Sequence, residues 1–294
     1  MFSSANTSPP DGAGWMPAAA CDAHCHVFGP ASRFPYAAER SFTPEDRPKE
    51  SLFALHQRLG ISRCVVVQSN CHGYDNAVVQ DAIAARPADC RGVALLPVDV
   101  ADAELRRLDR AGFRGVRFNF MRHLGRAAAV DDVVRLGARL APLGWHLQIH
   151  CESGLLAELA PALRRSPVPV VIDHMGRVDA AMGTVHPHFQ ALLELLEDER
   201  FWVKVSGADR ASAAGAPYAD ALVLARHLVA NFPQRTLWGT DWPHPNIAGP
   251  TPDDAVLAGL IADMAPTADA RRQLLVDNPV RLYRFDGPTA GGAS

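Results

Sequence analysis

The 294-residue sequence has no Cys-x-x-Cys pair, no long uninterrupted apolar run and little excess of either charge, and each of these gaps removes a class of protein. Its six cysteines, Cys21, Cys25, Cys64, Cys71, Cys90 and Cys151, lie mostly in or beside apolar runs. That placement suits reduced thiols, argues against a disulfide framework and leads us to expect a cytoplasmic protein. No apolar stretch reaches the roughly 20 residues that a membrane-crossing helix needs. A formal net charge of -3 gives nucleic acid no electrostatic footing as a partner. Residues 1–20 are rich in Ser, Pro, Gly and Ala and lack the basic start and apolar segment of a signal peptide, so they are expected to form a flexible tail, as are residues 286–294. Nothing between them reads as a linker. Residues 21–285 are therefore expected to form one domain, and a hydrophobic content of 48% is enough for a sizeable core.

What the chain does have is alternation. Short apolar runs recur at 21–27, 64–68, 92–96, 115–119, 146–150, 168–173, 202–206 and 236–241. Between them, residues 51–59, 75–85, 103–111, 131–143, 155–165, 189–197 and 218–231 carry the spacing of amphipathic helices. Eight strand-like runs alternating with helical segments predict an α/β fold, the (β/α)8 or TIM barrel. A doubly wound open sheet is the competitor, but no Gly-rich phosphate loop follows the first run.

His24 and His26 stand two residues apart, so on a strand they project to the same side. A His-x-His alone is more often packing than chemistry. The barrel changes its meaning, because active sites of this fold sit at the C-terminal ends of the strands. His24 and His26 close the first run, His150 closes the fifth, His174 follows the sixth and Asp241 closes the eighth. Each has a plain structural explanation by itself; all of them at one mouth point to a site.

This constellation resembles the amidohydrolase superfamily. The phrases Asp22-Ala23-His24-Cys25-His26-Val27-Phe28-Gly29-Pro30, Gly115-Val116-Arg117-Phe118-Asn119-Phe120, Val171-Ile172-Asp173-His174-Met175-Gly176-Arg177 and Leu237-Trp238-Gly239-Thr240-Asp241-Trp242-Pro243-His244-Pro245-Asn246, with Leu275-Val276-Asp277-Asn278-Pro279, are similar to its 2-pyrone-4,6-dicarboxylate lactonase-like branch. The resemblance implies a hydrolase that opens a carboxylate-bearing lactone with water, either 2-pyrone-4,6-dicarboxylate or a related lactone of aromatic or sugar-acid catabolism. The alternative is a metal-dependent decarboxylase of the same superfamily.

Lactone opening needs a water made nucleophilic and help for the developing oxyanion. Asp241 is expected as the general base, with His174 polarising the carbonyl or positioning the water. The branch pattern implies catalysis without metal and has tyrosine where this chain has His150. With a histidine there, His24, His26, His150 and Asp241 form a ligand set suited to one divalent metal, most naturally zinc. The fourth run offers Arg117 and Asn119 and no lysine to bridge two ions. In the resemblance, Arg117 and Arg210 match arginines that hold substrate carboxylates, while His123 falls at a further arginine position, Phe42 at a tyrosine and Asn70 at a serine. Arg177 and Arg122 are further cations near the mouth, for which surface charge is an equal explanation. A small anionic lactone is the expected partner, and a homo-oligomer is left open. Cys71 and Cys151 are expected to be inert, and His244 and Pro245 to shape the eighth loop.

Overall fold

The computed structural model describes residues 15–121, 128–247 and 249–286. Its strands are β1 (Cys21–Cys25), β2 (Arg63–Val67), β3 (Cys90–Ala94), β4 (Phe113–Phe120), β5 (His146–Cys151), β6 (Val170–Ile172), β7 (Phe201–Lys204) and β8 (Thr236–Leu237). They form one eight-stranded sheet in chain order, and every neighbouring pair is parallel. Ala23 N–H donates to Trp238 O at 2.8 Å, Asp241 N–H to His24 O at 2.8 Å and His26 N–H to Trp242 O at 2.8 Å. The chain just past β8 therefore runs along β1 and closes the sheet, as the (β/α)8 reading expects. A Cβ at Gly239 would lie 2.5 Å from His24 N, so only glycine lets the two segments pass this closely.

All eight expected runs are strands, because parallel strands buried on both faces read as continuous apolar sequence. β6 and β8 are shorter than expected, the latter because pairing by ladder gives way to the contacts with β1 after Leu237. The helices turn one apolar stripe inward. In Asp102–Arg110, Leu105 and Leu108 are buried, and Glu104 pairs with Arg107 on the outer face. Helices at Asp254–Met264, Ala268–Arg272 and Asn278–Tyr283, and the short Ala208–Ala211, add to those read from the sequence.

The core has two parts. One packs helices against the outside of the barrel; the other fills its interior with Cys21, Ala23, Val65, Val67, Val93, Val171 and Leu237, plugged by Leu282, Tyr283 and Phe285. Trp15, Met16 and Ala19 pack on the first of these, and Ala20 is buried. No helix among the described residues is long and apolar enough to cross a membrane.

Candidate active site

The site is built on the closure between β1 and the segment after β8. Asp22 Oδ1 accepts N–H bonds from His24 and Thr240, each at 3.0 Å, while Oδ2 accepts from Thr240 Oγ1 at 2.6 Å and meets His56 Nε2 at 3.1 Å. One buried carboxylate thus locks the end of β1 to the eighth loop. That lock sets His24 beside Asp241, whose backbone takes the left-handed conformation at φ 62.

Three imidazoles converge on Asp241 Oδ1. Their Nε2 atoms stand 3.3 Å (His26), 3.6 Å (His24) and 3.8 Å (His174) from it. The opposite ring nitrogens are held from behind: His26 Nδ1 meets Val67 O at 2.7 Å, and His174 Nδ1 meets Ser206 Oγ at 3.0 Å. His24 Nδ1 meets Lys204 Nζ at 3.1 Å and Asp173 Oδ1 at 3.3 Å. On its other side, Asp241 Oδ2 takes Arg210 Nε at 2.5 Å. Burial works to raise the Asp241 pKa, but Arg210 and the His26 hydrogen bond outweigh it and hold the carboxyl well below the usual range. Burial pushes His174 well below its ordinary value and, with the Lys204 charge, brings His24 down to about 3. An ionised base beside the neutral rings of His24 and His174 results.

Beneath this cluster lies a second polar layer. Arg117 Nε donates to Asp173 Oδ2 at 2.8 Å, Gln148 Nε2 donates to the same oxygen at 3.1 Å, and Lys204 Nζ donates to Gln148 Oε1 at 2.9 Å. Burial opposes the ionisation of Asp173, yet its contacts with His24, Arg117 and Lys204 keep its carboxyl well below the usual range. Lys204 is fully buried, and its pKa is brought down to about 8 by that burial.

Phe42, Asn70, Arg117, His150 and Arg210 line the cavity in front of Asp241, and so does Arg177, for which surface charge was an equal explanation. Ser69, Pro245 and Asn246 line it as well. Arg122 and His123 lie outside the described residues. His150 departs from the ligand set expected for it. Among the described residues, side-chain donors within metal-binding reach of one another are His24, His26 and Asp241, then His24, Asp173 and His174, and also Asp22, Cys25 and His56. His150 instead turns Nδ1 to Asn119 Oδ1 at 3.0 Å, and Asn119 Nδ2 donates to Asn70 Oδ1 at 2.7 Å.

The donor geometry suits a divalent ion. Ligand atoms about 2.0–2.1 Å from a tetrahedral zinc stand roughly 3.4 Å apart, and the His26 and His24 distances to Asp241 Oδ1 bracket that value. His24 Nε2 is also buried with no hydrogen-bond partner.

Lys204, Asp22 and Gln148 carry the site without having been singled out from the sequence. Lys204 could have been found as Arg117 was, by a charge interrupting an apolar strand. Around the mouth the expected supporting features hold. His244 Nε2 meets Asp254 Oδ1 at 3.0 Å within the eighth-loop region, and burial raises Cys71 to about 11 and Cys151 to about 12.

A parallel barrel that gathers an ionised carboxylate, neutral imidazoles and several cations at the C-terminal ends of its strands defines an enzyme of the (β/α)8 class with acid–base chemistry at its mouth. The amidohydrolase family model matches residues 21–285, and the chain belongs to that family. It is similar to the 2-pyrone-4,6-dicarboxylate hydrolase of Comamonas testosteroni, 45% identical over 277 residues that cover 91% of each chain. It is also similar to the 4-sulfomuconolactone hydrolase of Rhizobium radiobacter, 40% identical over 271 residues that cover 91% of each chain. Among solved structures, the probable 2-pyrone-4,6-dicarboxylic acid hydrolase of Acinetobacter baumannii with citric acid bound superposes with a TM-score of 0.79 at 27% identity, covering 91% of this chain and 100% of that one.

Proposed function

We propose that this protein is a lactonase that opens a dianionic lactone, 2-pyrone-4,6-dicarboxylate or a close relative, by attack of water. The observation that carries this is the charge of the site. Arg117, Arg177, Arg210 and Lys204 outnumber Asp173, Asp241 and the neighbouring Asp209, which leaves a positive excess in and beneath the cavity for the substrate to neutralise. Guanidinium forks suit carboxylates, and the relatives named above act on lactones with acid groups.

In the proposed reaction, Asp241 takes a proton from water as the oxygen attacks the lactone carbonyl. His174, whose Nε2 stands 3.8 Å from Asp241 Oδ1, polarises the carbonyl or positions the water. As the ring C–O bond breaks, Asp241 returns its proton to the leaving oxygen, which gives a hydroxyl or enol and a new carboxylic acid that releases its proton to solvent. Arg117, Arg177 and Arg210 orient the substrate's acid groups, with Asn70 and Phe42 shaping the wall. If a divalent ion such as zinc binds, His24, His26 and Asp241 would hold it, and it would supply acidified water with a pKa of about 7.

A panel of carboxylated and uncharged lactones, followed by proton release and loss of ring absorbance, tests this reading. Turnover confined to dianionic lactones supports it. Release of carbon dioxide from the same acids would move the enzyme to the decarboxylases.

A further inference from the structure

Asp241, His244 and Asn246 all take left-handed backbone conformations, at φ 62, 60 and 55, and none of them is glycine. Such residues cost free energy and persist only where the surrounding contacts over-determine them. The segment that carries the base is therefore strained, and whatever holds it decides where the carboxylate points.

The near end of this segment is tied to the first strand. Asp241 N–H donates to His24 O and His26 N–H to Trp242 O, each at 2.8 Å, and Trp242 N–H donates to Thr240 Oγ1 at 3.0 Å. The far end is held by two side chains. Arg210 Nη2 donates to Pro245 O at 2.9 Å, while its Nε reaches Asp241 Oδ2. His244 closes the turn with its own N–H, 2.7 Å from Asp241 O. Its buried ring meets Asp254 Oδ1 at 3.0 Å through Nε2, at the start of the helix Asp254–Met264. Nδ1 of the same ring stands 3.7 Å from Asp209 Oδ2, on the short helix that also carries Arg210. The ring thus sits between two helices, and it pins the turn beside the helix whose arginine grips the base.

We infer that His244, anchored by Asp254, is a positioning residue for Asp241, acting through the backbone turn to keep the carboxylate against Arg210. This rests on the reading of Asp241 as the general base. Among the described residues that line the cavity, neither His244 nor Asp254 is found, so loss of their contact reaches the chemistry only through the turn.

Asp254 is the gentler handle, since its side chain is only half-buried at a helix start. Asp254→Ala removes the anchor, and Asp254→Asn keeps an oxygen in its place. Steady-state kinetics on a lactone that the wild type turns over should show kcat lowered roughly tenfold or more in Asp254→Ala, as for a small misplacement of a reacting group. KM should stay within about twofold of wild type, and Asp254→Asn should restore most of the loss. In a His244→Phe background, Asp254→Ala should cost nothing more. A folded Asp254→Ala with wild-type kcat overturns the inference and leaves the contact to helix stability alone. So does a loss carried by KM only, or one that adds in full to that of His244→Phe. Wild-type turnover decides the lactonase reading by itself. If no lactone is turned over, crystal structures decide the positioning: Asp241 displaced from Arg210 in Asp254→Ala supports it, and an unmoved carboxylate overturns it. If His244→Phe fails to fold, the two Asp254 variants carry the test.

Discussion

Arg210 Nε lies 2.5 Å from Asp241 Oδ2, so the residue proposed to anchor substrate carboxylate and the residue proposed to take the proton form one ion pair. In the proposed reaction Arg210 acts twice, once on the substrate and once on the base. Arg210→Met should lower kcat/KM for a dicarboxylate lactone by the equivalent of about 2–5 kcal/mol, the cost of leaving a buried partner unpaired, and should affect an uncharged lactone less. Because Arg210 is a cause of the depressed Asp241 pKa, its loss should also raise that pKa. The acid limb of the pH–kcat/KM profile, which follows ionised Asp241, should move to higher pH. An acid limb that stays in place would separate Arg210 from the base.

Asp241→Asn keeps the shape of the side chain and removes its basicity. Activity should fall by about 100- to 10,000-fold, the usual contribution of general acid–base catalysis, with an unchanged circular dichroism spectrum. Near wild-type turnover in a folded variant would remove Asp241 from the mechanism.

His150→Gln should leave the zinc affinity at the wild-type value, since His150 is committed to Asn119 and stands apart from the donor cluster. KM should rise, by the equivalent of about 0.5–1.5 kcal/mol for one neutral hydrogen bond. Loss of zinc binding in this variant, measured by competition titration, would return His150 to the ligand set.

Asp22→Ala removes the acceptor shared by His24, Thr240 and His56. Stability should drop by about 3–5 kcal/mol, as when one partner of a buried charged network is deleted. Denaturant unfolding measures it. A loss below about 0.5 kcal/mol, the size of an ordinary surface substitution, would mean that the closure is held elsewhere.

The strands were legible because their burial on both faces leaves continuous apolar runs such as Val65-Val66-Val67. Helix Asp254–Met264 was not, because its sequence is apolar nearly all round and shows no stripe. Strand ends told which residues reach the mouth and so brought His24, His26, His174 and Asp241 together correctly. They do not tell how far apart the donors stand, and His150, paired with Asn119 across β4 and β5 and bonded to it through Nδ1, falls in neither donor group that contains His24. Asp22 was invisible for a different reason: its partner Thr240 lies 218 residues away, and nothing local marks the pair.

That separation has a kinetic side. Contacts between chain segments so far apart are the slowest to form, because the loop between them must be closed first. Since the bonds from Asp22 to Thr240 and from Asp241 to His24 join the first strand to the segment after the last, the catalytic pair comes into register only when the ring of strands is complete. Recovery of turnover during refolding would then report the final docking of the chain's two halves, while signals from local helices recover earlier.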